Sequence, residues 1–270
     1  MATNNQLPNC PPLRFPEFND EWERTTLGEI CQIVGGGTPS TEIDKYWGGN
    51  ISWFTPSEIQ KKYIGNSVRT ITEEGLNNSG AKLLPKGTIL LTTRATIGEC
   101  SISTIPCCTN QGFQSLVVNL DKSSTEFIYQ KVQTLRNELL IRANGSTFKE
   151  ITAQEIRGIH IVIPTLEEQS KIANFLSLLD ERIEAQRQTI KERKKQKKAL
   201  LQQIFSQTLR FPEFEDEWQQ TTLGEISEFK KGSPISKEQL SEHGNPVILY
   251  GELYTTYKNE VISSVYSKTK

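Results

Sequence analysis

Arg94, Asn110 and Gln111 carry side chains suited to reading the edges of base pairs. A guanidinium can donate two hydrogen bonds to guanine, and a carboxamide can both donate to and accept from adenine. All three fall in short polar stretches, Arg94-Ala95-Thr96-Ile97-Gly98 and Asn110-Gln111-Gly112, between segments rich in β-forming residues. Thr38, Thr93 and Thr96 could contact phosphates or a thymine methyl. Lys61 and Lys62, with Lys45, Lys82 and Lys86, could hold a phosphate backbone. The stretch Gly35-Gly36-Gly37-Thr38-Pro39-Ser40 permits close backbone approach or positive φ. It reads either as a phosphate cradle or as a flexible turn, and Gly37 and Thr38 join the candidate contacts on the first reading. For every one of these residues an ordinary loop role is the competing explanation.

Other chemistries find no support in the chain. The GxxxxGK[ST] pattern of a nucleotide-binding loop is missing. So is the [DN]PP[YF] pattern of amino methylation, since Asn245-Pro246 is followed by Val247. Two histidines, His160 and His243, give little basis for a nucleophile–base pair. Cys10, Cys31, Cys100, Cys107 and Cys108 are odd in number and contain no CxxC spacing, which fits reduced thiols and argues against a disulfide framework or a metal site. The expectation is a non-catalytic chain with no cofactor and no metal. Met1–Pro12 lacks a signal-peptide pattern and no run of eighteen apolar residues occurs, so a cytoplasmic location without membrane contact is expected. The net charge is −1. Residues 1–165 hold 15 basic and 16 acidic side chains, residues 166–206 hold 9 and 6, and residues 207–270 hold 7 and 10. Contact with DNA would therefore need local patches rather than a bulk positive field.

The elements that would position these loops follow from local pattern. Trp22, Leu27 and Ile30 read as core anchors leading into a strand over 31–34. Further strands are expected over 51–55, 87–93, 99–105, 113–118 and 159–163. Thr125 can cap a helix running to Arg142, with Ile128, Val132, Leu135 and Leu139 at helical spacing and Asn144-Gly145 closing it. Thr152 to Glu155 forms a capping box, and Thr165 to Glu168 a second one. The fold class is α+β, a mixed α/β domain followed by a long coiled-coil-type helix and the start of a second α/β domain.

An internal repeat organises the chain. Residues 13–30 (LRFPEFNDEWERTTLGEI) and 209–226 (LRFPEFEDEWQQTTLGEI) agree at fifteen of eighteen positions with a period of 196 residues. That period is domain-sized rather than solenoid-sized. The expected organisation is a first domain over 1–165, with 1–12 disordered, a spacer helix over 166–206, and an incomplete second domain over 207–270. No glycine or proline interrupts the chain between Pro164 and Pro212. Forty helical residues make a rod of roughly 60 Å. Its apolar seam is Leu176, Leu179, Ile183, Ile190, Leu200 and Ile204, interrupted by Gln186, Arg193 and Lys197. A single helix cannot bury such a seam, so an equivalent helix is the natural partner. The run Lys191–Lys198 holds six basic residues, as a solvated face or as a surface for protein or phosphate.

Several ordered fragments resemble the specificity subunits of Type I restriction-modification enzymes, often written HsdS. They are Trp22 with Thr26-Leu27-Gly28-Glu29-Ile30, Gly36-Gly37-Thr38-Pro39 and Trp53-Phe54-Thr55-Pro56-Ser57-Glu58-Ile59. Gly87–Leu91 with Arg94–Gly98, Asn110–Phe113 and Ile161–Gln169 complete the set. The resemblance implies target-recognition domains that each read half of a split double-stranded DNA site, separated by antiparallel helices. It also implies docking of methyltransferase (modification) subunits, which use S-adenosylmethionine on adenine, and of an ATP-driven motor-nuclease (restriction) subunit. The chain departs from the family by ending early in the second domain, which suggests work as a homodimer or paired half-subunit. A truncated or phase-variable product, and the recognition arm of an adenine methyltransferase, are the alternatives.

Overall fold

A computed structural model describes residues 11–94, 96–143, 150–257 and 261–269. The expected helix end at Asn144-Gly145, and residues 1–10 of the stretch 1–12 expected to be disordered, lie outside them. The chain divides into two compact units, Met1–Ala199 and Leu200–Lys270.

The first unit begins with β1 (Glu23–Thr26), α1 (Leu27–Ile30), β2 (Cys31–Gly35) and β3 (Trp47–Phe54). β4 (Tyr63–Ile64), β5 (Arg69–Ile71), α2 (Glu73–Asn77), β6 (Ile89–Leu91) and β7 (Cys100–Ser103) follow. Next come β8 (Cys107–Thr109), β9 (Gln114–Val118), α3 (Thr125–Thr134), α4 (Arg136–Arg142), α5 (Ala153–Arg157), β10 (His160–Ile163) and α6 (Leu166–Phe205). A five-stranded sheet has the order β2-β9-β6-β7-β4, a three-stranded sheet the order β5-β3-β8, and β1 pairs with β10. The pairings are antiparallel except β3–β8 and β4–β7, which are parallel. The fold is mixed α/β with a long helix.

Side-chain alternation sets the layers. Ile89 and Leu91 face the large core with α3, α4 and α5, where Ile128, Val132, Leu135 and Leu139 are all buried. Leu90 points the other way, into a cluster with Phe54, Leu84, Cys107 and Phe113 between the two sheets. Beyond the small sheet, Ile51, Trp53, Ile71 and Cys108 form a third cluster, against which Leu76 of α2 packs. Trp22, Leu27 and Ile30 join the large core as the sequence suggests.

Two local expectations are corrected. The helix over 125–142 is two helices, broken at Leu135 (ψ 0°), whose N–H bonds back three residues to Val132 rather than four. Its cap is Ser124, whose hydroxyl accepts from Phe127 N, not Thr125. The Thr152–Glu155 capping box forms with both of its bonds. At Thr165 the hydroxyl accepts from Glu168 N at 3.4 Å. The Glu168 carboxylate, however, is fully buried against Arg14, which donates Nε to Oε1 at 2.7 Å and Nη2 to Oε2 at 2.6 Å, with Trp22 Nε1 at 3.4 Å from Oε1.

α6 is one uninterrupted helix, and polar contacts fasten its first turns to the domain. The buried Gln169 carboxamide accepts from Ser123 Oγ (2.6 Å) and Ser124 N (3.0 Å) and donates to Pro164 O (2.9 Å) and Lys122 O (3.3 Å). All four of its hydrogen-bonding positions are satisfied. Phe15 meets Phe175 edge to face at 6.0 Å, and Lys171 lies 4.9 Å from the Phe15 ring centre while pairing with Glu17. From Glu181 to Leu200 every residue is exposed.

The second unit, described by itself, holds α7 (Leu223–Ile226), β11 (Leu240–Ser241), β12 (Asn245–Pro246), α8 (Glu252–Thr255) and β13 (Lys268–Thr269). None of its described residues is buried.

Candidate nucleic-acid interface

Strand register brings the sequence-distant loops together. β3 and β8 run parallel from Ser52↔Cys107 to Phe54↔Thr109, so the chain leaves both strands at the same end. Asn110 N donates to Phe54 O at 3.1 Å across that end. β2 ends where β9 begins, with Gly35 opposite Gln114, so residues 36–40 emerge beside residues 110–113. Thr92, just past β6, bridges to Phe113, and Thr93 N donates to Gly112 O at 2.8 Å. Loops 36–40, 55–58 and 110–112 and residues 93, 94 and 96–98 therefore converge.

The glycine loop is built, not flexible. A Cβ on Gly36 would lie 2.0 Å from Asn110 O, and one on Gly37 would lie 2.1 Å from the carbonyl carbon of Gly80. Gly37 N donates to Thr109 O at 2.8 Å. Trp53 Nε1 donates to Gly37 O at 2.9 Å and Trp47 Nε1 to Ser40 O at 3.0 Å, so two indoles hold the loop. The glycines supply close approach. Positive φ is found elsewhere, at Gly98 for example. With its N–H already bonded to Thr109 O, Gly37 does not offer that donor to a phosphate.

Of the candidate contacts, Thr38, Arg94, Thr96, Asn110 and Gln111 reach this surface. Thr38 Oγ1 donates to Gln111 Oε1 at 2.6 Å, and Gln111 is exposed. Asn110 turns its Oδ1 inward to accept from Gly112 N at 2.8 Å, which shapes the loop. Arg94 is half exposed and pairs with Glu150 at 2.9 Å, and Thr96 is exposed. Thr93 is at the same place but completely buried, its amide and carbonyl bonded to Gly112 and Ile151, so its side chain is not presented to a ligand. Lys61 and Lys62 lie apart, beside β7, with Ser101 Oγ donating to Lys61 O at 2.6 Å. The Lys62 ammonium is taken up by Ser177 Oγ (2.7 Å) and Glu126 (2.9 Å), and it fastens α6 rather than offering a charge to a phosphate.

Arg69 is a further candidate that sequence reasoning missed. Its guanidinium carbon stands 3.5 Å from the Trp47 ring centre and 5.6 Å from that of Trp53, and the two indoles meet edge to face at 5.1 Å. The stack leaves an exposed, pre-oriented cation beside the loop that Trp47 and Trp53 hold. Only the antiparallel pairing Trp53↔Arg69 places it there, and no local motif announces that pairing.

The thiols are not chemistry in waiting. Burial pushes Cys31, Cys100 and Cys107 up to about 12 and Cys108 up to about 11. All four are free, buried and packed. Among the described residues no group of three or more His, Cys, Asp or Glu could hold a metal ion, and no helix is long and apolar enough to cross a membrane.

A domain of this build, with loops gathered at one end of two sheets and a long helix fastened to its flank, defines a class. The family model described as "Type I restriction modification DNA specificity domain" matches residues 19–193, and the chain belongs to that family. Among curated relatives, the "Type I restriction enzyme MjaIX specificity subunit" of Methanocaldococcus jannaschii is 32% identical over 245 residues, 82% of this chain and 55% of the relative. The "Type I restriction enzyme EcoR124I/EcoR124II specificity subunit" of Escherichia coli is 28% identical over 62% of this chain and 43% of its own length. The chain thus spans about half the length of these relatives. Two solved structures share the fold. One is the Type-I restriction-modification system S subunit from M. genitalium, with a TM-score of 0.53, 19% identity, and coverage of 89% of this chain and 61% of that one. The other comes from work on the assembly and conformational transition of a type I R-M system, with a TM-score of 0.53, 23% identity, and coverage of 70% and 47%.

Proposed function

We propose that this chain is a sequence-reading subunit of a Type I restriction-modification system, contacting one half of a split DNA site through the converged loops. The observation that carries this is the meeting of loops 36–40 and 110–112 with residues 93, 94 and 96–98 at one end of two sheets, with Arg94, Thr96, Gln111 and Arg69 exposed or half exposed there. Arg94 and Gln111 read base edges, Thr38 and Thr96 position the backbone, and Arg69 supplies a stacked cation. Catalysis comes from separate methyltransferase and motor-nuclease subunits that use their own cofactors. Buried reduced thiols suit work in the cytoplasm.

The test is DNA binding by the chain together with modification subunits, at fixed salt. Arg94→Ala and Gln111→Ala each weaken specific binding about tenfold, within the range for a lost base contact, and relax preference at one position. Lys62→Ala leaves the preference unchanged. Equal binding by wild type and the Arg94→Ala/Gln111→Ala/Arg69→Ala variant rejects the assignment.

A second element of the proposal concerns α6. Leu179, Ile183, Ile190 and Leu200 are 46–54% exposed along one helix, while Leu176 and Ile204 are half-buried. A seam of this kind takes an equivalent helix as its partner, from a second copy or a paired half-subunit. Leu179→Lys with Ile183→Lys abolishes association in sedimentation equilibrium. Unchanged mass would remove the seam as the contact.

A further inference from the structure

The two copies of the repeat share their local structure but not their surroundings. In the first copy, Thr25 Oγ1 and Thr26 N donate to Glu29; in the second, Thr221 Oγ1 and Thr222 N donate to Glu225 in the same way. The turn from Phe15 O to Phe18 N reappears from Phe211 O to Phe214 N. Yet Leu27 and Ile30 are each 1% exposed, whereas Leu223 and Ile226 are 67% and 65% exposed.

The first copy holds a helix start. Arg14 grips Glu168, Trp22 reaches the same carboxylate, Phe15 packs on Phe175, and Lys171 sits among Phe15, Phe18 and Glu17. Residues 168, 171 and 175 share one helix face. The gripping residues Arg14, Phe15, Glu17, Phe18 and Trp22 recur without change as Arg210, Phe211, Glu213, Phe214 and Trp218. The three positions that differ between copies, 19, 23 and 24, lie outside this set. In the second copy Phe211 and Phe214 are open, 59% and 62% exposed, and Trp218 is 47% exposed while meeting the Phe205 ring edge to face at 6.2 Å. Arg210 donates Nη2 to Asp216 O, but its Nε, the counterpart of the atom that donates to Glu168, is a shielded atom with no hydrogen-bond partner in a half-buried side chain.

We propose that residues 210–218 form a second clasp that takes the start of another α-helix of the Leu166–Phe175 type. The occupant carries a carboxylate, a lysine three residues on and an aromatic ring seven residues on. Its carboxylate supplies the acceptor that Arg210 Nε lacks. The chain's own α6 start is already held by Arg14, so the occupant is a different helix of the same chemistry. The proposal rests on the repeat and the clasp contacts, and stands independently of the DNA reading.

The test uses the full chain and a peptide of residues 164–182, with a lactam bridge joining positions 170 and 174, both of which are exposed on α6. The bridge pre-forms the helix, which a peptide this short would not hold alone. Calorimetry shows one peptide bound per chain, and Trp218 emission changes, a signal absent in Trp218→Phe. Arg210→Ala weakens binding at least tenfold, as does Glu→Gln at position 168 of the peptide, whereas Arg14→Ala does not. No binding at millimolar peptide, binding indifferent to Arg210, or binding lost with Arg14→Ala instead would each overturn the proposal.

Discussion

Arg14→Ala tests how the domain is fastened to its rod. The Glu168 side chain has no solvent exposure and Arg14 only 11%, and two charge-assisted bonds of 2.7 and 2.6 Å join them. Removing the cation leaves a buried carboxylate with Trp22 Nε1 at 3.4 Å as its remaining side-chain donor. Breaking a buried pair from one side costs about 3–5 kcal/mol. Because the 11–22 arm can loosen and admit water, the lower end, about 3 kcal/mol, is expected. Glu168→Gln is milder, about 1–2 kcal/mol, since the amide oxygen still accepts one bond and Arg14 lies near the surface. The double variant should then lose at least 1 kcal/mol less than the sum of the singles. Urea unfolding followed by tryptophan fluorescence measures all three. A Trp218→Phe background leaves Trp22, Trp47 and Trp53 as reporters of the first unit. A cost below 1 kcal/mol for Arg14→Ala, or strict additivity, would refute the buried-pair argument.

Gly36→Ala forces a methyl to within 2.0 Å of Asn110 O and should cost at least about 2 kcal/mol in the same assay while displacing Gln111; a neutral substitution would show that the loop is not close-packed. At pH 8 the thiols of Cys31, Cys100, Cys107 and Cys108 should resist Ellman's reagent until the chain unfolds, as read by mass mapping, because burial raises their pKa to about 11–12. Glu29 has its carboxyl lowered below the ordinary 4.5 by the Thr25 hydroxyl first and the Thr26 amide next. Its stabilising contribution is complete above that value and lost as pH falls through the lowered one. The urea-midpoint gap between wild type and Glu29→Gln should therefore close on acidification, and a constant gap would contradict it.

Much of the fold was legible because it is written in local pattern. The Thr152–Glu155 box, the apolar spacing of residues 128, 132, 135 and 139, and the uninterrupted run after Pro164 each act over a few turns of chain. The short strands were harder. β1 and β8 have no clean alternation and exist through pairing with β10 and β3, partners more than fifty residues away. The site divided the same way. Loop residues flanked by visible strands, such as Arg94 and Gln111, lie on the converged surface that the sequence pattern points to. The pairing of Lys62 is not legible locally because its partners, Ser177 and Glu126, are distant in sequence. Arg69 was missed for the same reason, since its stack on Trp47 depends on cross-strand register.

The central claim, that the converged loops choose a DNA sequence, is tested most directly by mapping adenine methylation in cells that carry the partner modification subunits. With the wild-type chain, one split motif should be methylated genome-wide. With Arg94→Ala/Gln111→Ala, one half of that motif should become degenerate while the spacing stays fixed. An unchanged motif, or a change in spacing with both halves intact, would contradict the account.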